Sequence, residues 1–147
     1  MAVLLLCVGK LKENWQKDAC ADYLKRLSRF GKFEIRETPD FPEPEKSSPA
    51  LAEKVKEKEG KAMLACLRPE DRLVALDMRG AAPDSPALAG MLARWQESGR
   101  RTVLAVGGSL GLSKDVLARA EERVSFSNLT FPHPLMRVIL LEQPYRA

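Results

Sequence analysis

The stretch TVLAVGGSLGLSKDVLARAEERVSFSNLTFPHPLMRVILLEQPYRA, Thr102 to Ala147, decides how this chain is read. Thr102 to Val106 is a short apolar run, the pattern of a buried strand, and it ends in the glycine turn Gly107-Gly108-Ser109-Leu110-Gly111. Ser113 then stands where a helix N-cap belongs, with Asp115 in the first turn favourable to the helix dipole. A turn-rich segment, Ser125 to Pro134, feeds an apolar helix. A buried strand ending in glycines, with a second loop nearby, is how α/β proteins form a small-molecule cleft at the carboxyl edge of a sheet. The rest of the chain reads as scaffold for that cleft.

Outward from it, the same alternation recurs. Val3 to Val8 is continuously apolar and stops at Gly9, which suits a strand covered on both faces. A helix follows to about Ser28, with Trp15, Ala19, Tyr23, Leu24 and Leu27 near a 3.6-residue spacing. Phe33 and Ile35 mark a more polar strand, placed near a sheet edge. Pro39 to Pro49 holds four prolines and reads as a loop and the natural place for mobility. Leu51 to Leu67 is helical, with a buried stripe of Leu51, Val55, Met63 and Cys66 and a solvated charged face of Lys54, Lys56, Glu57, Lys58 and Glu59. Gly60 weakens that helix by about 1 kcal/mol if it is exposed. Asp71 to Asp77 is the third strand, and Ser85 sits as N-cap before Leu88, Leu92 and Trp95. A final short strand is expected at Arg123 to Phe126. Strands alternating with helices predict α/β architecture, a largely parallel sheet flanked by helices, in one domain spanning residues 1–147.

Composition sets limits. With 147 residues, 45% of them hydrophobic, the chain can bury a core. A net charge of +4 is compatible with a polyanionic partner but does not demonstrate one. Cys7, Cys20 and Cys66 form no CxxC, and with His133 as the single histidine no zinc set can be assembled. Buried reduced thiols in a cytoplasmic protein fit best. The opening apolar run is too short to span a bilayer, so no membrane role is expected.

The residues able to carry chemistry are few. Gly107, Gly108 and Gly111 lack both the GxGxxG spacing and a following GK[ST], so neither a dinucleotide site nor a P-loop is licensed. The turn either lets backbone approach a ligand or simply connects strand to helix. Leu76-Asp77 ends a neighbouring strand and could form a second wall. Phe126 to Pro134 mixes aromatics, small polar residues and a Pro-His-Pro clamp, either a loop that binds through its amides or a lead-in to the helix with Pro134 at the first helical position. Leu135 to Leu141 is apolar nearly all round, interrupted by Arg137, so it must be enclosed. A subunit interface would enclose it, with Arg137 as a paired charge inside or at the rim.

These residues resemble a known family. The pattern GGSLGLS followed by SFSNLTFPHPLMRVILLEQPYRA is similar to the bacterial ribosomal large-subunit pseudouridine N3-methyltransferases of the SPOUT, or α/β-knot, class. VGKLKENW, Tyr23 with Lys25-Arg26, and KVKEKEGKAML agree as well, so the likeness covers essentially the whole chain. It implies a C-terminal trefoil knot, a homodimer formed through the C-terminal helix, and S-adenosylmethionine bound by Leu76, Gly107 and the run Phe126, Ser127, Asn128, Leu129, Thr130 and Phe131. The acceptor would be the N3 of a pseudouridine in 23S rRNA on the ribosome. The family pattern continues past the YRA segment to a Tyr-His pair that reaches the partner's active site, whereas this sequence stops at Ala147. Of proton-handling groups that leaves His133, Arg137, Tyr145 and Arg146. It also leaves open a knotted RNA-binding protein that keeps the cofactor without transferring methyl. A small nucleotide-binding protein of flavodoxin-like topology is the reading from outside this class.

Overall fold

The computed structural model describes residues 1–41, 48–108, 110–126 and 131–146. In chain order the elements are β1 (Ala2–Val8), α1 (Asn14–Leu27), β2 (Lys32–Thr38), α2 (Pro49–Leu64), β3 (Arg72–Ala81), α3 (Ser85–Glu97), β4 (Thr102–Val106), α4 (Lys114–Arg119), β5 (Glu122–Val124) and α5 (His133–Arg146). The strands form one sheet in the order β2-β1-β4-β3-β5, and every paired strand runs parallel to its neighbour.

Parallel strands need crossover helices, and those helices cover both faces of the sheet. The alternation along β1 displays this. Val3, Leu5 and Cys7 join one core with Cys20 and Leu27 of α1, Leu88, Leu92 and Trp95 of α3, and Leu140 and Leu141 of α5. Leu4, Leu6 and Val8 face the other way, against Met63 of α2 and Val116 of α4. The two cores are why β1 and β4 are apolar without interruption. β2, at the edge, keeps charged residues such as Lys32, Glu34 and Arg36.

The amino edge of the sheet is tied by charge. Asp71 is wholly buried. Its carboxylate accepts from Arg101 Nε at 3.0 Å and from the Arg68 N–H at 2.8 Å. Burial pushes the Asp71 carboxyl up, but those hydrogen bonds outweigh it and hold the group below the usual carboxylate range.

Several expectations need correcting. β3 does not end at Asp77: it runs to Ala81, with a register shift between Leu76 and Ala81, both opposite Val124 of β5. Gly80 is required there, because a Cβ would lie 2.5 Å from the Arg123 carbonyl carbon. The N-cap of α3 is Asp84, whose side chain accepts from the Ala87 N–H at 2.9 Å, so Ser85 is already helical. β5 stops at Val124, which leaves Phe126 beyond it. The proline-rich loop is shorter than Pro39 to Pro49, since Pro49 opens α2 behind an N-cap at Ser48; residues 42–47 of it lie outside the described residues. Cys66 is only partly buried, unlike Cys7 and Cys20.

On α2 the expected charged face is wrong at one residue. Glu59 falls four positions after Val55 and four before Met63, on the inward stripe, and is 5% exposed. Gly60 is not an exposed weak point either. A Cβ there would press on Ser113 Oγ and stand 3.0 Å from Ser113 Cβ, so the glycine lets α2 pack closely on α4.

Candidate functional site

The carboxyl ends of β3, β4 and β5 lie side by side, because β3 sits between the other two. Leu76 and Phe126 line an apolar packing gap there with Leu88, Trp95 and Leu140, at about 10 Å³ too small to admit a ligand as it stands. Phe126 also lines an adjoining open cleft of about 370 Å³, which it shares with Phe131, Asp84 and Ile139. Three of the expected cofactor residues, Leu76, Phe126 and Phe131, are thus brought together. Ser127, Asn128, Leu129 and Thr130 lie outside the described residues.

Gly107 follows β4, one strand across from β3. It lines neither hollow, but it is built for close backbone approach. A Cβ on it would meet the Gly111 carbonyl carbon at 2.7 Å, and Gly108 and Gly111 form a bridge that folds the turn back on itself. Gly111 has φ +89°, a conformation that glycine adopts without strain. Ser113 caps α4 as expected, accepting from the Val116 N–H at 3.2 Å.

Just past Leu76, Asp77 Oδ2 is buried and accepts no hydrogen bond among the described residues; Arg79 Nε stands 3.6 Å away and Arg123 Nη1 3.9 Å. Asp77 lines neither hollow and its charge is met by those two guanidiniums, so what this edge offers a nucleoside is the open cleft of Phe126 and Phe131.

Of the expected proton-handling residues, Arg137 and Tyr145 do not converge within the protomer. Arg137 is fully buried. Its guanidinium donates to Val8 O at 2.9 Å, to Gly9 O at 2.7 Å and to Glu37 Oε2 at 2.8 Å. Its charge is paired inside the subunit, not at an interface rim, and it fastens α5 to the carboxyl ends of β1 and β2. Tyr145 lies at the far end of α5, roughly 18 Å along the helix from His133 at 1.5 Å per residue. There it packs edge-on to Tyr23 and Phe30, with the Arg26 guanidinium 5.6 Å from its ring centroid. His133 opens α5, so Pro134 is its second residue and not its first; only the backbone position of His133 is described.

Two carboxylates at this edge escaped sequence reasoning. Glu37 accepts the Leu11 N–H at 2.8 Å as well as Arg137, so it secures the loop after β1. Glu59 accepts the Phe41 N–H at 3.2 Å and reaches the glycine turn, where a Cβ on Gly108 would come within 3.4 Å of its Oε1. Burial pushes the Glu59 carboxyl above the usual range; the Phe41 N–H offsets part of this and the nearby Asp40 adds to it. Neither carboxylate carried a motif. The one usable signal was the i, i+4 spacing that sets Glu59 between Val55 and Met63.

Comparison with known proteins bears on this edge. The family described as "Predicted SPOUT methyltransferase" matches residues 1–147. The chain is also 50% identical over 145 residues to the "Ribosomal RNA large subunit methyltransferase H" of Pelotomaculum thermopropionicum, a match covering 98% of this chain and 91% of that protein.

Proposed function

The chain belongs to the SPOUT methyltransferase family, and from that premise we propose that it methylates the N3 of a pseudouridine in 23S rRNA on the ribosome, with S-adenosylmethionine as donor. The observation that carries this is the full-length likeness to a ribosomal RNA methyltransferase, in a chain with an open cleft walled by Phe126 and Phe131 beside the carboxyl ends of β3 and β5. Leu76, Phe126 and Phe131 hold the adenosine, Gly107 contributes main chain, and the run 127–130 completes the enclosure. The trefoil knot in the C-terminal part is what membership of this class implies.

When bound, the donor supplies a methyl already activated on a sulfonium. What the chain adds is alignment. Holding donor and acceptor in line converts a bimolecular encounter into an effectively unimolecular one. The imide nitrogen must shed its proton as it is methylated, and His133, at the head of α5, is the residue assigned to accept it. Arg137 acts as a positioning residue for that helix. Tyr145 serves the same site only from a partner subunit, which agrees with a homodimer formed through α5. Residues 1–147 work as one cytoplasmic domain; no helix among the described residues is long and apolar enough to cross a membrane.

Calorimetry with S-adenosylmethionine and its demethylated product tests the cofactor, and labelled methyl transfer to ribosomes lacking the modification tests the reaction. Binding without transfer, persisting after the family's Tyr-His tail is appended, would leave a knotted RNA-binding protein as the surviving description.

A further inference from the structure

A cleft of about 710 Å³ opens at the carboxyl ends of β1 and β2, away from the packing gap of Leu76 and Phe126. Lys10, Lys12, Glu37, Asp40 and Pro134 are among its walls. The volume suits a single nucleotide, within the roughly 300–1,000 Å³ typical of small-molecule sites. Its floor is set before any ligand arrives. Arg137 joins Val8 O, Gly9 O and Glu37, and Glu37 in turn holds the Leu11 N–H at 2.8 Å, so the loop bearing both lysines is fixed at its centre.

The charges on this floor and these walls are not equivalent. Glu37 is neutralised by the buried guanidinium. Lys10 and Lys12 are exposed and join no ion pair among the described residues, and Glu13, exposed on the same wall, stands with Asp40 as the negative side. Asp40 lies over Gly9, its carboxyl carbon 3.7 Å from where a Cβ would be. An anionic group is drawn to the lysines and repelled by Glu13 and Asp40, whereas N–H donors of a base are drawn to Asp40. A nucleotide is therefore oriented, not merely attracted. The remaining wall, Pro134, lies three residues after Phe131, within about 10 Å of chain from the cofactor run.

We propose that this cleft seats the acceptor nucleotide of the RNA, with its phosphate on Lys10 and Lys12 and its base directed past Asp40 towards Pro134. The inference rests on the methyltransferase reading above and adds the substrate side of that site.

The test compares the full chain with two double variants of equal charge loss, Lys10→Ala with Lys12→Ala, and Lys32→Ala with Arg36→Ala on the outer part of β2. Methyl transfer to unmodified ribosomes is measured against ribosome concentration and salt, and cofactor binding by calorimetry. The first variant is expected to raise KM for ribosomes tenfold or more with cofactor affinity unchanged, and to make the salt dependence of ribosome binding shallower by about one to two in log–log slope. The second is expected to leave KM within about twofold of wild type. Equal KM shifts in both variants, or none in the first, would overturn the inference. Protein that transfers no methyl to these ribosomes, with or without the family's Tyr-His tail appended, would instead remove the reading beneath it, a result visible before any variant is compared.

Discussion

Glu59 and Gly60 are neighbours on α2 governed by different forces. A carboxyl whose folded pKa is raised holds its proton longer in the folded state. Its contribution is fully present below the ordinary carboxyl pKa and is lost as pH rises through the folded value. Glu59→Gln keeps an oxygen for the Phe41 N–H and removes the charge. It is expected to have a higher urea midpoint than wild type at pH 8, with the difference vanishing near pH 4. Gly60→Ala would gain about 1 kcal/mol in an exposed helix. Against Ser113 and Val116 it is expected to lose about 1–3 kcal/mol overall, read from the same unfolding curves. Gly107→Ala, whose Cβ would strike the Gly111 backbone, is expected to weaken S-adenosylmethionine binding at least tenfold by calorimetry. Of these, the tight turn at Gly107 was legible in the sequence, because a glycine cluster after an apolar run marks close backbone packing. Glu59 was not, since a glutamate inside a run of lysines and glutamates reads as solvated until the helix phase is fixed by what it packs on.

At the scale of elements, α5 presents two faces. Arg137, Leu140 and Leu141 share the one turned inward, so part of the enclosure expected from a partner is supplied by the protomer's own α1 and sheet. The other end keeps Tyr145 at 38% exposure beside Phe30 at 58%, an apolar area that the single chain does not cover. Sedimentation at micromolar concentration is expected to give a dimer for wild type and to shift towards monomer for Tyr145→Asp. The existence and type of the elements followed from periodicity, and β2 was correctly placed at an edge from its charges. Their limits were less legible where tertiary contact decides: β3 runs on past Asp77 because β5 pairs with it again at Ala81, and Asp84 displaces Ser85 as the cap by reaching the Ala87 N–H.

At the scale of the molecule, a ligand that binds only the folded state stabilises it by mass action, about 2.7 kcal/mol at a hundredfold excess over Kd. S-adenosylmethionine at that excess is expected to raise the thermal midpoint by several degrees, and ATP or flavin to leave it unchanged. Strand order was beyond the sequence, because a two-residue period reports which face a side chain takes and nothing about which strand lies alongside. The Arg137 partnership was equally hidden: it joins residues 129 positions apart. That distance has a consequence for biosynthesis. Carbonyls at the end of the first strand to leave the ribosome stay without their guanidinium until the segment bearing it has also cleared the exit tunnel. A nascent chain halted before Arg137 is therefore expected to remain protease-sensitive throughout, with native resistance arriving in a single late step and not strand by strand.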